Sequence, residues 1–446
     1  MKKLICLLLV CLLATGAAAG FAEAVSPPII LYAGEQAMLV DASGREIVPR
    51  GEYSALIDLN TAAASGEDLR FAAGKETDGG LLFALIDGEG KALTECEYEL
   101  LTDYEDGIIC QQDGLFGLLN RDGSMRIAPA YTSLVPNGAG GLLALKTDCW
   151  DDQPDGVYYI DANGVESATG VKTLYLFDSA FAEGRLPLLS AENNRYGYVD
   201  AKGQWLVRPQ FSFAMEYENG YAIASISSGY GVIDAEGNWV LTPRYSLVWR
   251  CQGLFVATDN GSNCVAYDSA TLEERFRVKG TNLYAYDDGD CVVVTDDDST
   301  RLYSQDGELR FTAPASAMLY ATETGLIIAQ DGPWGSPTAS LYAADGSLLA
   351  EGFQDIFPLA CIDGEEYLCY MTMDAQPGAS EDDLWDYDPY TIRYGLMDAQ
   401  GNKISEAIFR ELQIGNDGVS LVAATDESCG LIDTDGKWIA EWTLGE

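Results

Sequence analysis

The stretch YGYVDAKGQWLVRPQF fills residues 196–211, and YGVIDAEGNWVLTPRY fills residues 230–245. Gly, Asp, Gly, Trp and Pro hold the same slots in both. The core of that sentence, apolar-Asp-x-x-Gly, can be followed along the whole chain. It reads LVDASG at Asp41, LIDGEG at Asp87, LLNRDG at Asn120, YIDANG at Asp161, YVDAKG at Asp200 and VIDAEG at Asp234. It then drifts, through AYDSAT at Asp268, LYSQDG at Ser304 and LYAADG at Ala343, and recovers as LMDAQG at Asp398 and LIDTDG at Asp433. These are eleven copies, mostly 33 to 46 residues apart. Self-similarity at such a period means stacked supersecondary units, and no other local signal constrains the fold as much.

One copy has a plain physical reading. YGYV is a short aromatic and β-branched run, which favours a strand. DAKG is a tight turn: the Asp side chain accepts from turn amides, and Gly203 supplies the positive φ. QWLVRPQF is the return strand, with Trp205 and Val207 on one face, and Pro209, which has no N–H for a ladder, marks its end. A further turn at Asn219-Gly220 leads to a third strand, Tyr221 to Ser225, whose counterparts include GIICQQ around Cys110 and CVVVTD around Cys291. No unit has helical periodicity. The expectation is an all-β repeat array of about eleven three- to four-stranded antiparallel units.

Such small sheets bury their faces only by stacking. The array is β-propeller-like, as one ring or two in tandem, with an open β-solenoid as the alternative. IILYAGEQAMLVD (29–41) has the length and phase of LVAATDESCGLID (421–433), and the last unit stops after KWIAEWTLGE. In a ring, Ile29 to Ala33 would complete the sheet of Lys437 to Thr443 and remove both open edges. A seam between two rings is expected in the degenerate stretch 264–345.

The quoted sentences resemble the WG-repeat (KWG) family. The residues that carry the likeness are Gly197, Asp200, Gly203, Trp205 and Pro209; Gly231, Asp234, Gly237, Trp239 and Pro243; Gly395, Asp398 and Gly401; and Gly430, Asp433, Gly436 and Trp438. Weaker copies extend it over most of the chain, and it is broken around Thr271, Ser304 and Ala343. The resemblance implies a β-rich, propeller-like repeat protein, often exported, and supplies no catalytic residue.

The first 24 residues read as a secretory signal peptide: Lys2 and Lys3, an apolar run from Leu4 to Leu13, and Ala22-Glu23-Ala24 as the cleavage site. The array is then 25–446, and the expected location is secreted or at the cell surface. No later stretch is apolar and long enough for a membrane span. The chain carries 26 Lys and Arg against 70 Asp and Glu, a net charge of −44. That excludes a nucleic-acid partner, which needs a basic footprint. Apolar residues make up 48 % of the chain, ample for a packed core. There is no histidine, which removes imidazole bases and His-ligated zinc. Most of the eleven cysteines sit in apolar runs and read as buried small hydrophobes.

The site candidates are few. The repeated Asp reads as turn chemistry rather than a calcium ligand, because the remaining ligands of a calcium loop are missing. Trp205, Trp239 and Trp438 read as packing between units rather than as sugar platforms. The insertion PGASEDDLWDYDPYTIR, 377–393, departs from the repeat. It offers Asp382, Asp383, Asp386 and Asp388 for a cation and Trp385, Tyr387 and Tyr390 for an apolar or sugar face. A second acidic cluster, Asp287, Asp288, Asp290, Asp296, Asp297 and Asp298, leaves weak calcium binding open. No cofactor and no catalytic or metal residue is assigned. The expected function is a non-catalytic binding protein that presents a rigid β-repeat surface to an extracellular protein or glycan. The alternative is a carboxylate-pair glycosidase on a propeller scaffold.

Overall fold

A computed structural model describes residues 27–33, 36–60, 68–104, 106–146, 156–173, 176, 181–251, 253–259, 263–280, 282–285, 291–332, 338–373 and 392–444. Among these residues there is no α-helix, and the strands form 11 small antiparallel sheets. In chain order the sheets span 29–53, 55–87, 100–131, 133–172, 186–211, 213–245, 247–279, 282–314, 318–353, 355–398 and 411–443. They are called the first to the eleventh sheet below. Each is a meander, so every strand pairs with its neighbours in sequence.

The core lies between sheets, as small two-layer units require. Leu39, Val48, Leu56 and Phe71 join the first sheet to the second, and Leu85, Tyr98, Ile108 and Leu119 join the second to the third. The same kind of apolar seam follows at every later junction. Within 264–345 it continues through Cys264, Val294 and Tyr303, and then through Val293, Leu302 and Leu319. The last seam joins the eleventh sheet to the first: Ile29, Leu31, Met38 and Val40 pack on Val422 and Leu431. Eleven sheets with eleven seams make one closed ring, the arrangement of an 11-bladed β-propeller.

The mode of closure differs from the sequence expectation. Ile29–Ala33 does not add to the sheet of Lys437 to Thr443. It pairs with Gln36–Val40 in its own sheet, from Ile29↔Val40 to Ala33↔Gln36. The eleventh sheet has four strands of its own, Glu411–Ile414, Leu421–Ala424, Ser428–Ile432 and Trp438–Thr443. The reason is phase. The Asp-x-x-Gly turn joins the last two strands of a sheet, and the boundary between sheets follows the proline-bearing strand. The termini therefore meet face to face rather than edge to edge. Trp442 Nε1 donates to Glu46 (2.9 Å), and Arg50 donates to the Thr443 carbonyl.

The opening strands of the sheets lie innermost, because those of neighbouring sheets approach one another, as Leu247–Cys251 does Asn282–Ala285 and Asp355–Ile362 does Glu411–Ile414. The first sheet begins instead with the counterpart of a second strand, and among the described residues no strand pairs with its inner edge. Asn416, from the eleventh sheet, occupies that edge. Its side chain accepts from Ile30 N–H (2.9 Å) and donates to the Pro28 carbonyl (3.0 Å) and to Asp58 of the second sheet.

Candidate functional site

The repeated turn has one geometry. At Asp200 the carboxylate accepts from the N–H groups of Lys202 and Gln204 (2.9 Å each), while Gly203 N–H donates to the Asp200 carbonyl (2.8 Å). Asp234, Asp398 and Asp433 do the same with the residues two and four positions on. Gly203 has φ +74°, which only glycine adopts at no cost. These oxygens are spent on the backbone, and among the described residues no group of three acidic or cysteine side chains is placed to hold a metal ion.

The turn also makes the joint between blades. A Cβ on Gly203 would lie 2.7 Å from Thr169 of the preceding sheet, and one on Gly237 would lie 2.5 Å from Val207. Gly401 abuts Ala350 and Gly436 abuts Ser405 in the same sense. Beside the turn, the tryptophans pack across the joint. Trp239 meets Phe211 edge-on with centroids 5.5 Å apart, Trp438 meets Phe409 at 6.0 Å, and Trp205 packs on the seam of Leu143, Val171 and Leu186.

Gly197 and Pro209 belong to one feature. Tyr196 pairs with Phe211 and Tyr198 with Val207, so Gly197 alone faces three residues of a bulge centred on Pro209. A Cβ on Gly197 would sit 2.5 Å from the Val207 carbonyl oxygen and 2.8 Å from Pro209 N. Gly231 and Pro243 repeat this. The proline therefore does not end the strand, which runs on to Phe211; it lies in the bulge, where no ladder N–H is needed. Gly430 meets the Ala440 backbone similarly, whereas Gly395 makes room for the Tyr370 ring.

Asp382, Asp383, Trp385, Asp386, Tyr387, Asp388 and Tyr390 lie outside the described residues, as do Asp287, Asp288 and Asp290. Ile392 and Arg393, the last two residues of the expected insertion, belong instead to the strand Ile392–Asp398, where they pair with Met373 and Thr372. Asp296 is a turn residue: it accepts from the N–H groups of Asp298 and Ser299 and forms an ion pair with Arg301. Cys110, Cys251, Cys264, Cys369 and Cys429 are buried, as expected, but Cys96 is half-buried and Cys361 is exposed.

Sequence reasoning missed the inner wall. Ile57, Leu100, Phe213, Leu247, Trp249, Met318 and Phe357 all lie on opening strands, and each keeps between 38 % and 51 % of its surface exposed. They alternate with residues buried in the seams, such as Leu56, Leu101, Val248, Leu319 and Ile356. Being on the innermost strands, they open on to the central channel and its mouth. Around Phe213, Tyr196 and Tyr230 stand edge-on at 6.3 and 5.9 Å. The same strands bring two carboxyls near each other. Burial pushes the Asp58 carboxyl up, against bonds from Asn416 and Asn60, and Asp103 pushes in the same direction. Asp103 itself is held by Arg121 at 2.6 Å.

No helix among the described residues is long and apolar enough to cross a membrane. No curated protein matches the chain. Among solved structures it is similar to BamB from Moraxella catarrhalis (10 % identity, TM-score 0.30, 61 % of this chain and 93 % of that one). It is also similar to a eukaryotic initiation factor (9 %, 0.42, 81 % and 93 %) and to apo AztD from Citrobacter koseri (12 %, 0.31, 73 % and 93 %). The fold rests on the chain's own sheets and seams, not on these scores. The family model described as WG containing repeat matches residues 196–227 and 230–250, the segments in which the Gly197–Pro209 and Gly231–Pro243 bulges and the Asp200 and Asp234 turns occur. The chain is thus a β-propeller repeat protein that carries the WG containing repeat in its fifth to seventh sheets.

Proposed function

We propose that this is an exported, non-catalytic binding protein, a rigid ring that presents a surface to a protein or glycan outside the cell. The observation that carries the reading is the belt of half-exposed apolar side chains on the inner strands, Ile57, Leu100, Phe213, Leu247, Trp249, Met318 and Phe357. A scaffold closed by eleven seams holds them in place, and exposed apolar side chains that recur on one wall of a folded chain are a mark of an interaction site. The acids set in the repeated turns are engaged by backbone amides and so serve the fold.

The competing reading is a glycosidase that uses a carboxylate pair. Asp58 and Asp103 are the pair it would draw on, since burial raises one of them. The test is a screen of chromogenic glycosides beside binding assays on glycan and protein arrays. Saturable binding without turnover is the expected result. Turnover that disappears in both Asp58→Asn and Asp103→Asn would overturn the reading.

A further inference from the structure

The inner wall has both shape and charge. Neighbouring sheets pack roughly 10 Å apart, so eleven of them enclose an inner perimeter of about 110 Å and a backbone-to-backbone width of about 35 Å. Side chains reduce this to about 20 Å, wider than the ~10–12 Å of a single helix. The exposed residues on that wall are Ile57, Leu100, Leu247 and Met318 beside the rings of Phe213, Trp249 and Phe357, and they recur on six of the sheets. Aliphatic surface suits apolar side chains better than sugar faces, which stack on aromatic rings.

The charges on the same strands are mostly of one sign. The described opening strands carry Asp58, Asp103, Asp355 and Glu411 against a single cation, Arg250. Arg250 is committed to Glu218 (2.9 Å) and to the Tyr221 carbonyl. Asp103 is matched by Arg121, and Asp58 accepts from Asn416 and Asn60, but Asp355, on the face of its strand that exposes Phe357, and Glu411, itself exposed, form no ion pair among the described residues. The chain as a whole, at −44, adds a long-range field of the same sign.

We propose that the central channel docks a basic, apolar-rich polypeptide segment, whose apolar side chains lie on the Phe213–Leu247–Trp249 stretch and its counterparts while its Lys or Arg residues face the wall carboxylates. This rests on the binding-protein reading and names the place and the chemistry of the partner.

The experiment uses residues 25–446 and three labelled 18-residue peptides of helical periodicity, one of Lys and Leu, one of Glu and Leu, one of Lys and Ser. Xylohexaose and chitohexaose are included as glycan probes. The Lys/Leu peptide should bind, at least tenfold more tightly than either of the others, and more weakly as salt rises. Phe213→Ser with Trp249→Ser should weaken it at least tenfold. Leu206→Ser with Ile439→Ser, exposed on outer strands, should leave it unchanged. If the inner double variant does not fold, a photo-crosslinking Lys/Leu peptide on the parent chain decides: adducts should map to opening strands.

Equal binding of the Lys/Ser or Glu/Leu peptide would overturn the proposal, as would crosslinks to the outer strands. Binding of a hexasaccharide alone, lost in the inner variant, would overturn it in favour of a glycan while leaving the binding-protein reading intact. Glycoside turnover would sink that reading itself, whatever the peptides do.

Discussion

Gly44, in the first turn of the ring, lies against Ala440 in the last strand: a Cβ placed on Gly44 would overlap the Ala440 methyl. This is the relationship that Gly203 has with Thr169 and Gly237 with Val207, here between the two ends of the chain. Gly164 has a similar φ, +79° against +82°, but its nearest neighbour would be Ile127 at 3.7 Å. Gly44→Ala and Gly164→Ala therefore both meet the positive-φ penalty of ~1 kcal/mol, and Gly44→Ala adds an overlap of about 1–3 kcal/mol. Urea unfolding midpoints measure the difference. Equal midpoints would mean that the first and last sheets do not close on each other in solution.

Gly197→Ala should cost about 1–3 kcal/mol although its φ is not positive, because the bulge carbonyl of Val207 leaves no room for a methyl. Pro209→Ala in the same bulge should cost under ~1 kcal/mol, since no ladder bond changes. Thermal melts of the two variants test this. A larger loss for the proline variant would contradict the bulge.

Asn416 stands in for a strand at the inner edge of the first sheet, so Asn416→Ala should cost about 1–3 kcal/mol through the groups left unpaired. Asn416→Asp should be worse at neutral pH. It cannot donate to the Pro28 carbonyl, and it sets a second carboxylate against Asp58. The two variants should converge as the carboxyls protonate, which stability curves at pH 7 and pH 4 would reveal.

The acid limb has an assigned origin. Ser43 and Arg45 hold the Asp41 carboxyl well below the usual range, and Arg275 does the same for Asp268. A depressed folded pKa gives stability that is present above the unfolded value near 4 and is lost as pH falls through the folded one. Asp58 and Asp355, raised by burial, act in the opposite sense and soften the fall. The melting temperature should decline below about pH 4, and Asp41→Asn with Asp268→Asn should flatten that decline. An unchanged slope in the double variant would assign acid lability elsewhere.

Thiol labelling should be site-selective. Cys361 is exposed and should react at once, while Cys110, Cys264 and Cys369 should stay silent until the chain unfolds. Burial pushes these three thiols up to about 11, 11 and 12. Because unfolded thiols ionise near 8.5, their contribution to stability is lost as pH rises above about that value. Rapid native labelling of Cys369 would contradict the tenth-sheet packing.

The repeat was legible in the sequence because its residues do local work. Asp200 and Gly203 make a turn whatever surrounds them, so the number of units and their antiparallel nature could be read directly. The sheet boundary was not, since YGYV is equally able to begin a unit or to sit third in one. Only the one-residue step at Ser212, from the strand ending at Phe211 to the one beginning at Phe213, puts the break there. That ambiguity assigned Ile29 to Ala33 to the wrong sheet. The inner wall was hidden for another reason. Phe213, Leu247 and Trp249 have the composition of core residues, and nothing local tells a strand that the neighbour which should cover it stands across a channel.

Each Asp-x-x-Gly turn whose glycine is in close contact with another sheet leans on the sheet before it, as Gly44, Gly203, Gly237, Gly307 and Gly401 do. The joint is therefore heterologous, a face of one kind meeting a face of another, and closure is a matter of accumulated angle: about 33° a step over 11 sheets. Such a joint does not count its own copies. A chain shortened by whole sheets would end in one free turn face and one free strand face, each complementary to the other, and each able to be matched by a different molecule. The product of that truncation would be an open assembly that grows by addition, its length set by concentration rather than by sequence.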